Sequence, residues 1–495
     1  MLEEYRREYA EFNAQWMREY YLVLSGQKNE LELTRIYERY SDLFTKESLT
    51  RLQQLFDEAS PNFETNRASI NRLLNFATDQ FLENAAKVLT EEISRYESQS
   101  IIQWQGEEIT FQDSFVAMRT ESDHQSRREL YKKRLELIEG SNDFRAERLT
   151  KLHDAARSLG FENYALMYEQ LRHKDYLALA AEAEKLLSQT ETIYVTNLDT
   201  ALRRDLNIKI EEAERSDAMY FLNLSGYDEK FPASELLRVY RETMQGLGIN
   251  VDQQHNIVVD SEPRPRKSAR AFCAPIVIPD EVKLVIRPIG GQSDFQAMLH
   301  EAGHAQHYAW TASALQPEFK YTGDYALTET YAFLFNHLPV EKNWLSSMLK
   351  FTDNHEFIRS ATLTRLQIVR RYAAKLIYER TLHASDTLYT NAALYAKLQT
   401  SATRFQTGET EFLTDLDDGF YSANYLRAWA FEVALRDYLK TKFAKAWWTS
   451  RRAGNFLKEI WNTGDRYDAD EMAAQIGIGP INFDLLIEEL NRELK

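Results

Sequence analysis

Two histidines and a glutamate near residue 300 have the types and spacing of a metal site. His300 and His304 are four residues apart, and Glu301 directly follows the first histidine in the string HEAGHAQH. On an α-helix such histidines lie on one face, about 6 Å apart along the axis, so both imidazoles can bind one Zn²⁺. Only roughly a few chains in a hundred of this composition would contain HExxH by accident. The motif therefore predicts a catalytic zinc site with Glu301 as the general base.

A catalytic zinc site needs a third protein ligand and keeps a fourth position open. His307 is on the same helix face, but it lies about 10.5 Å along the axis from His300, too far to share the ion. His307 is therefore predicted to contact a ligand residue or the substrate. A downstream carboxylate is the natural third ligand, and the candidates are Glu318, Asp324 and Glu329.

Glu329 is the strongest of these candidates. Residues 324–335 form an apolar helical pattern in which Glu329 is the only acid after the first position. A buried carboxylate needs a partner, and that partner is either a metal or an arginine of the core. Asp324 is predicted either to cap this helix or to accept the outer N–H of a ligand histidine.

Long helices and one small region of strands are expected to position these residues. The chain has no proline between Pro61 and Pro232 or between Pro339 and Pro480, and both stretches show helical periodicity. Strands are expected only at about 251–290, which contains most of the remaining prolines. The sequence therefore predicts a mainly α protein with a helical N-terminal lobe, 1–200, and a catalytic lobe, 201–495, which contains the small sheet.

The motif helix is predicted to begin with a capping box. Ser293 and Gln296 have the spacing at which a serine accepts from the N3 amide and a glutamine reaches back to the N-cap amide. Five apolar residues form the opposite stripe of the helix and should anchor it in a core. They are Phe295, Met298, Leu299, Ala302 and Ala305.

Composition narrows the class of protein. The chain has 60 basic and 76 acidic residues, a formal charge of -16, which disfavours nucleic acid and anionic lipid as partners. The single cysteine, Cys273, excludes an intrachain disulfide and a cysteine-based zinc site, as expected for a cytoplasmic protein. The sequence shows neither a signal-peptide pattern nor an apolar run of 18 residues, so no membrane association is expected.

The string HEAGHAQH followed by Glu329, 25 residues after His304, resembles the thimet oligopeptidase and oligoendopeptidase F family of gluzincin metallopeptidases. The resemblance implies that His300, His304 and Glu329 bind one Zn²⁺ per chain and that Glu301 is the general base. It also implies a large two-lobed helical fold, with a deep central cleft and a small β-sheet beside the active-site helix. Short unstructured peptides are the substrates that such a cleft admits.

A second segment, GFYSANYLRAW at 419–429, is similar to the glycine- and tyrosine-rich segment of that family. In the family, tyrosines and a nearby histidine hydrogen-bond the tetrahedral intermediate, whereas here no histidine follows His383. Tyr421 or Tyr425 is the predicted oxyanion donor, because a phenol stays protonated at neutral pH, and aromatic packing is the alternative for each. Arg427 is predicted to bind a substrate carboxylate or, alternatively, to form an ordinary ion pair.

The predicted function is a zinc-dependent oligoendopeptidase that cuts internal bonds of short peptides. A metallocarboxypeptidase or dipeptidyl carboxypeptidase is the alternative, although LTETYAF around Glu329 lacks the His-Glu pair of the carboxypeptidase Taq and angiotensin-converting enzyme relatives. A second alternative is a peptide-binding protein with a structural zinc, but structural zinc sites usually close with four ligands. The sequence leaves monomer and homodimer open.

Overall fold

Helices form most of this chain, so the predicted mainly α fold class is confirmed. The computed structural model describes residues 2–59, 64–264, 266–268, 270–385 and 387–495. The first eleven α-helices are α1 (Leu2–Leu24), α2 (Leu33–Arg39), α3 (Lys46–Glu58), α4 (Glu64–Gln99), α5 (Phe111–Thr120), α6 (His124–Ser158), α7 (Tyr164–Arg172), α8 (Tyr176–Gln189), α9 (Glu191–Asp205), α10 (Arg215–Phe221) and α11 (Leu236–Gly246). The α-helices that follow are α12 (Gln292–Trp310), α13 (Glu318–Tyr321), α14 (Tyr325–Asn336), α15 (Lys342–Met348), α16 (His355–His383), α17 (Ala392–Thr403), α18 (Tyr421–Lys442), α19 (Arg451–Trp461), α20 (Ala469–Gln475) and α21 (Asp484–Glu493).

Short 3-10 helices connect many of these elements. They are Ser41–Phe44, Ile210–Glu212, Ser225–Lys230, Ala233–Glu235, Val251–Gln253, Leu338–Val340, Tyr389–Asn391, Thr410–Leu413, Asp418–Phe420 and Trp447–Thr449. No helix in the described part of the chain combines the length and apolar character needed to cross a membrane.

Two small sheets accompany the helices. The strands are β1 (Ile101–Trp104), β2 (Glu107–Thr110), β3 (Ile257–Asp260), β4 (Phe272–Val277) and β5 (Glu281–Val285). The last three strands form one sheet in the order β3-β5-β4, with β3 parallel and β4 antiparallel to β5. This sheet lies within the region where strands were predicted, and β4 and β5 both contact α12.

The hairpin of β1 and β2 shows that the expectation of strands only at 251–290 is wrong. Its two-residue turn consists of Gln105 and Gly106, whose φ angles are 51° and 84°. Such left-handed turn conformations match the twist of a hairpin and favour glycine. Gly106 is the one residue of this turn that is typical of a hairpin. It lies within the long proline-free stretch, whose helical periodicity led to the prediction of helices alone.

The chain divides into two compact units, and both combine segments that are distant in sequence. The motif unit consists of Met1–Thr78, Ser225–Ile358 and Arg427–Leu485, and the second unit of Asp79–Leu224, Arg359–Leu426 and Leu486–Lys495. The sequence-based division placed residues 1–200 in one lobe and residues 201–495 in the other. Each of the two units instead contains segments from before and after residue 200.

Helix α12 is the central element of the motif unit. The predicted apolar stripe of this helix is buried, and each of its five residues is at most 1% exposed. The helix begins at Gln292, after Gly291, and the Asp294 carboxylate accepts from the backbone N–H groups of Ile289 (2.6 Å) and Gly290 (2.8 Å). The predicted capping box of Ser293 and Gln296 is therefore wrong, because the helix starts before Ser293.

A glycine allows α12 and α14 to approach closely. A Cβ atom placed on Gly303 would lie 2.5 Å from the carbonyl oxygen of Tyr331 and 2.7 Å from Cα of Ala332. Real Cβ atoms do not come that close to a neighbouring backbone, so a side chain at this position would force the helices apart. The contact lies between His300 and His304 on α12 and just beyond Glu329 on α14.

Candidate metal centre

The two motif histidines and Glu329 converge at the contact between α12 and α14. The Nε2 atoms of His300 and His304 lie 3.4 Å and 3.7 Å from Oε2 of Glu329. One ligand atom from each of the three residues lies within 4.8 Å of the others, and the described residues contain no other such group of three. Ligands at about 2.1 Å from a tetrahedral ion stand about 3.4 Å apart, so the spacing and the donor set both fit zinc.

The three candidate acids have different partners. Glu318 is fully buried and accepts from Nε of Arg6 (2.9 Å) and from the Ser69 hydroxyl. Glu329 is the acid that faces both histidines, at 4% exposure. Arg6 is the counter-ion of Glu318, whereas Glu329 faces the two histidines, so the geometry favours Glu329 as the third ligand.

Asp324 has a structural role at the start of α14. Its carboxylate accepts two hydrogen bonds from Arg427, at 2.9 Å and 2.8 Å, and one from the backbone N–H of Ala326 at 3.1 Å. The last bond caps α14, which is one of the two predicted roles. In the other predicted role, Asp324 would accept from the outer nitrogen of a ligand histidine, but for His304 that position is taken by another side chain.

Thr328 is the partner of that nitrogen. Its Oγ1 lies 3.0 Å from Nδ1 of His304, on the side of the ring opposite Glu329. Thr328 was not predicted from the sequence, because only carboxylates were considered as partners of a ligand histidine. Its position directly before Glu329 on the same helix is the feature that could have indicated it.

Burial and neighbouring charges shape the protonation of the motif residues. Burial raises the pKa of Glu301 to about 7, an effect that Glu329 increases, while His300 and a backbone hydrogen bond from Cys273 oppose it. Burial lowers the pKa of His304 to about 4. For His300 burial also acts to lower the pKa, but Glu329 and Glu301 outweigh it and the net shift is upward. His304 is thus neutral at pH 7, the form that binds a metal.

His307 lies in the core of the motif unit. It is fully buried, its ring centroid is 5.2 Å from that of Tyr308 and 5.0 Å from that of Tyr331, and the backbone of Gly464 lies beside it. Burial lowers its pKa to about 3. The structure thus surrounds His307 with aromatic rings, and its predicted contact with substrate stays a prediction.

The first turns of α18 contain the other predicted site residues. Tyr421 and Tyr425 are half-buried and belong to the second unit, where Tyr425 contacts the rings of Tyr421 (4.9 Å) and Tyr372 (5.2 Å), both edge-on. These contacts agree with the alternative that the two tyrosines are packing residues. The role of either tyrosine as an oxyanion donor stays a prediction.

Arg427 belongs to the motif unit and is buried in an ion-pair network. It donates to both carboxylate oxygens of Asp324 and to Asp470 at 2.7 Å. Burial acts to lower its pKa, but Asp324 and Asp470 outweigh that effect and raise it. These contacts agree with the alternative that Arg427 forms an ordinary ion pair. Its guanidinium group already donates to Asp324 and Asp470, the groups with which a substrate carboxylate would have to compete.

No protein-family model matches the sequence, and no curated protein matches it. Solved structures do match the fold, each at 13% identity. A protein assigned as oligoendopeptidase F from Bacillus anthracis strain Ames aligns over 98% of this chain and 89% of its own, with a TM-score of 0.67. PZ peptidase A aligns over 98% and 91%, with a TM-score of 0.65, and a protein assigned as a peptidase from Chlamydophila abortus over 100% and 89%, with a TM-score of 0.64. At the level of fold, the resemblance to oligoendopeptidase F is confirmed.

Proposed function

We propose that this chain is a zinc-dependent oligoendopeptidase that hydrolyses internal bonds of short unstructured peptides. One observation carries the proposal: His300, His304 and Glu329 bring their ligand atoms within 4.8 Å of one another, with Glu301 next to the first histidine. The fold that holds these residues is that of solved structures assigned as oligoendopeptidase F and PZ peptidase A.

In the proposed enzyme, His300, His304 and Glu329 would hold Zn²⁺, which when bound would polarise the scissile carbonyl and acidify an attacking water. Glu301 would accept a proton from water at its carboxylate and pass it to the leaving nitrogen. In the metal-free protein, burial raises the pKa of the Glu301 carboxyl to about 7, so this group can accept and release a proton near neutral pH.

Tyr421 and Tyr425 are the proposed hydroxyl donors to the developing oxyanion. Support for them comes from their half-buried positions on the first turns of α18 and from the likeness of segment 419–429 to the family's tyrosine-rich segment. Since Arg427 is occupied by Asp324 and Asp470, it is not proposed to bind substrate. The likeness of the fold to structures assigned as oligoendopeptidase F supports internal cleavage over carboxypeptidase activity.

We further propose a cytoplasmic location, supported by the single cysteine, which is free. Short peptides are the proposed partners, and the acidic net charge of -16 disfavours nucleic acid.

A mixed library of short peptides, incubated with the zinc-loaded protein and read by mass spectrometry, tests the function. Internal cuts that stop on addition of phenanthroline are expected. Glu301→Gln should keep the bound zinc but lower turnover by about 100-fold or more, because it removes the general base without removing a ligand.

The other outcomes are distinct. If the library peptides lost only their C-terminal residues, the protein would be a carboxypeptidase and not an endopeptidase. A protein that binds zinc and cleaves nothing would favour the peptide-binding alternative, and a fully active Glu301→Gln enzyme would remove Glu301 from the mechanism.

A further inference from the structure

The hydroxyl of Thr328 lies where it can control the metal-binding nitrogen of His304. A histidine has two ring nitrogens, and in the neutral ring one carries a proton while the other has a free lone pair. Which nitrogen is free depends on the hydrogen bond that the other one makes. For His304 the nitrogen that faces Glu329 is Nε2, and the nitrogen on the other side is bonded to Thr328.

We propose that Thr328 is a positioning residue, which holds Nδ1–H of His304 and thereby presents the Nε2 lone pair to zinc. The inference rests on the zinc site of the proposed function. It goes beyond the ligand set, because it assigns the orientation and tautomer of one ligand to a side chain that does not touch the ion.

Three features of the contact support this role. The distance of 3.0 Å between Oγ1 of Thr328 and Nδ1 of His304 is that of a well-formed hydrogen bond. Thr328 is 5% exposed and the His304 side chain 12%, so water competes little for either group. Thr328 also directly precedes Glu329 on α14, so one helix supplies both the carboxylate ligand and the hydroxyl that orients the histidine.

The hydroxyl of Thr328 can accept from Nδ1–H of His304, because a threonine hydroxyl accepts as well as donates. Tyr308 lies four residues after His304 on α12. The ring of Tyr308 lies nearly parallel to that of His304, at an interplanar angle of 18° and a centroid distance of 6.4 Å.

A buried threonine on the same helix provides a matched control. Thr330 is fully buried, and its hydroxyl donates to the backbone carbonyl of Ala326 at 2.6 Å. Thr328→Val and Thr330→Val therefore make the same chemical change two residues apart on α14, but only the first removes a partner of a ligand histidine. Thr328→Ser restores the hydroxyl in a smaller side chain.

The test is the zinc affinity of the full chain, measured by competition with a chromogenic chelator. We expect Thr328→Val to weaken zinc binding by about 10- to 100-fold, the usual cost of losing a hydrogen-bond partner of a metal ligand. Thr330→Val and Thr328→Ser should stay within about 3-fold of the wild type on the same reasoning. Equal losses in Thr328→Val and Thr330→Val would show a general packing effect and overturn the proposal, as would an unchanged affinity in Thr328→Val.

A measurement on the unmutated protein covers the case in which Thr328→Val does not fold. In metal-free protein labelled with ¹⁵N-histidine, the chemical shifts of His304 should show a protonated Nδ1 and an unprotonated Nε2 at pH 7. The opposite tautomer would overturn the inference. Peptide cleavage is not used in either experiment, so a chain that binds zinc without hydrolysing peptides would remove the proposed function and leave the role of Thr328 to be decided by these results.

Discussion

Two pairs of neighbouring histidines in this chain have different surroundings. In the motif unit, both Nε2 atoms of His300 and His304 point to one carboxylate oxygen of Glu329. In the second unit, Nε2 of His153 lies 3.0 Å from Nδ1 of His383, so the two rings hydrogen-bond to each other. Tyr164 stacks on His383 with a centroid distance of 4.4 Å.

The comparison shows that closeness of two imidazoles is not sufficient for a metal site. A pair that shares a hydrogen bond uses one lone pair on its own partner, and that lone pair is not available to an ion. The described residues also place no third ligand atom with His153 and His383, whereas Glu329 completes the first pair. A catalytic zinc site needs three protein ligand atoms that converge on one point, and Glu329 supplies the third one here.

The largest expected effect separates the two pairs by metal content. His304→Ala should lower zinc affinity by more than about 100-fold and abolish the proposed peptidase activity, because removing a ligand costs more than removing a ligand's hydrogen-bond partner. His383→Gln should retain one zinc per chain. Metal analysis of the purified variants after dialysis measures both, and loss of zinc from His383→Gln would break the comparison.

A smaller effect is expected from the glycine that brings the third ligand to the first pair. Gly303→Ala should destabilise the protein by about 1–3 kcal/mol, because the new Cβ would press on the backbone of Tyr331 and Ala332. Zinc binding should weaken as well, since α14 carries Glu329. Urea denaturation and chelator competition measure the two effects.

Gly408 provides the control for this substitution. A Cβ at Gly408 would meet no atom within 4 Å, and Gly408→Ala should therefore change stability by no more than about 0.5 kcal/mol. If Gly303→Ala were as stable as Gly408→Ala and bound zinc normally, the close helix contact would not be what assembles the site.

The smallest expected effect concerns the pH dependence of the second pair. Burial, together with His153, keeps the pKa of His383 well below its ordinary value. The unfolded chain therefore binds a proton at His383 before the folded chain does, and the resulting stability is present above about pH 6.5 and is lost as the pH falls below it. One histidine accounts for at most about 1.4 kcal/mol per pH unit.

His383→Gln removes this contribution and should flatten the decline in stability between pH 7 and pH 5. Urea denaturation of metal-free protein at both pH values measures it. The histidines of the motif unit are present in both proteins, so the difference between the two slopes reports the pair of His383 and His153. Identical slopes would show that the pair does not titrate as its burial implies.

The sequence by itself determined the features that depend on short-range spacing. A helix places residues four apart on one face, so HEAGH was sufficient to predict that His300 and His304 point the same way. Helical periodicity and the scarcity of proline likewise predicted the mainly α fold, and an isolated acid in an apolar helix indicated Glu329. These inferences concern neighbours in sequence, whose relative positions follow from backbone geometry.

Only the tertiary structure decided which distant groups became partners. Glu318 pairs with Arg6, 312 residues away, and Asp324 with Arg427, 103 residues away. The outer nitrogen of His304 found Thr328 rather than Asp324. Buried charges and polar groups must all be satisfied together, and the spacing of residues in one segment does not show which cation or hydroxyl another segment will bring to them.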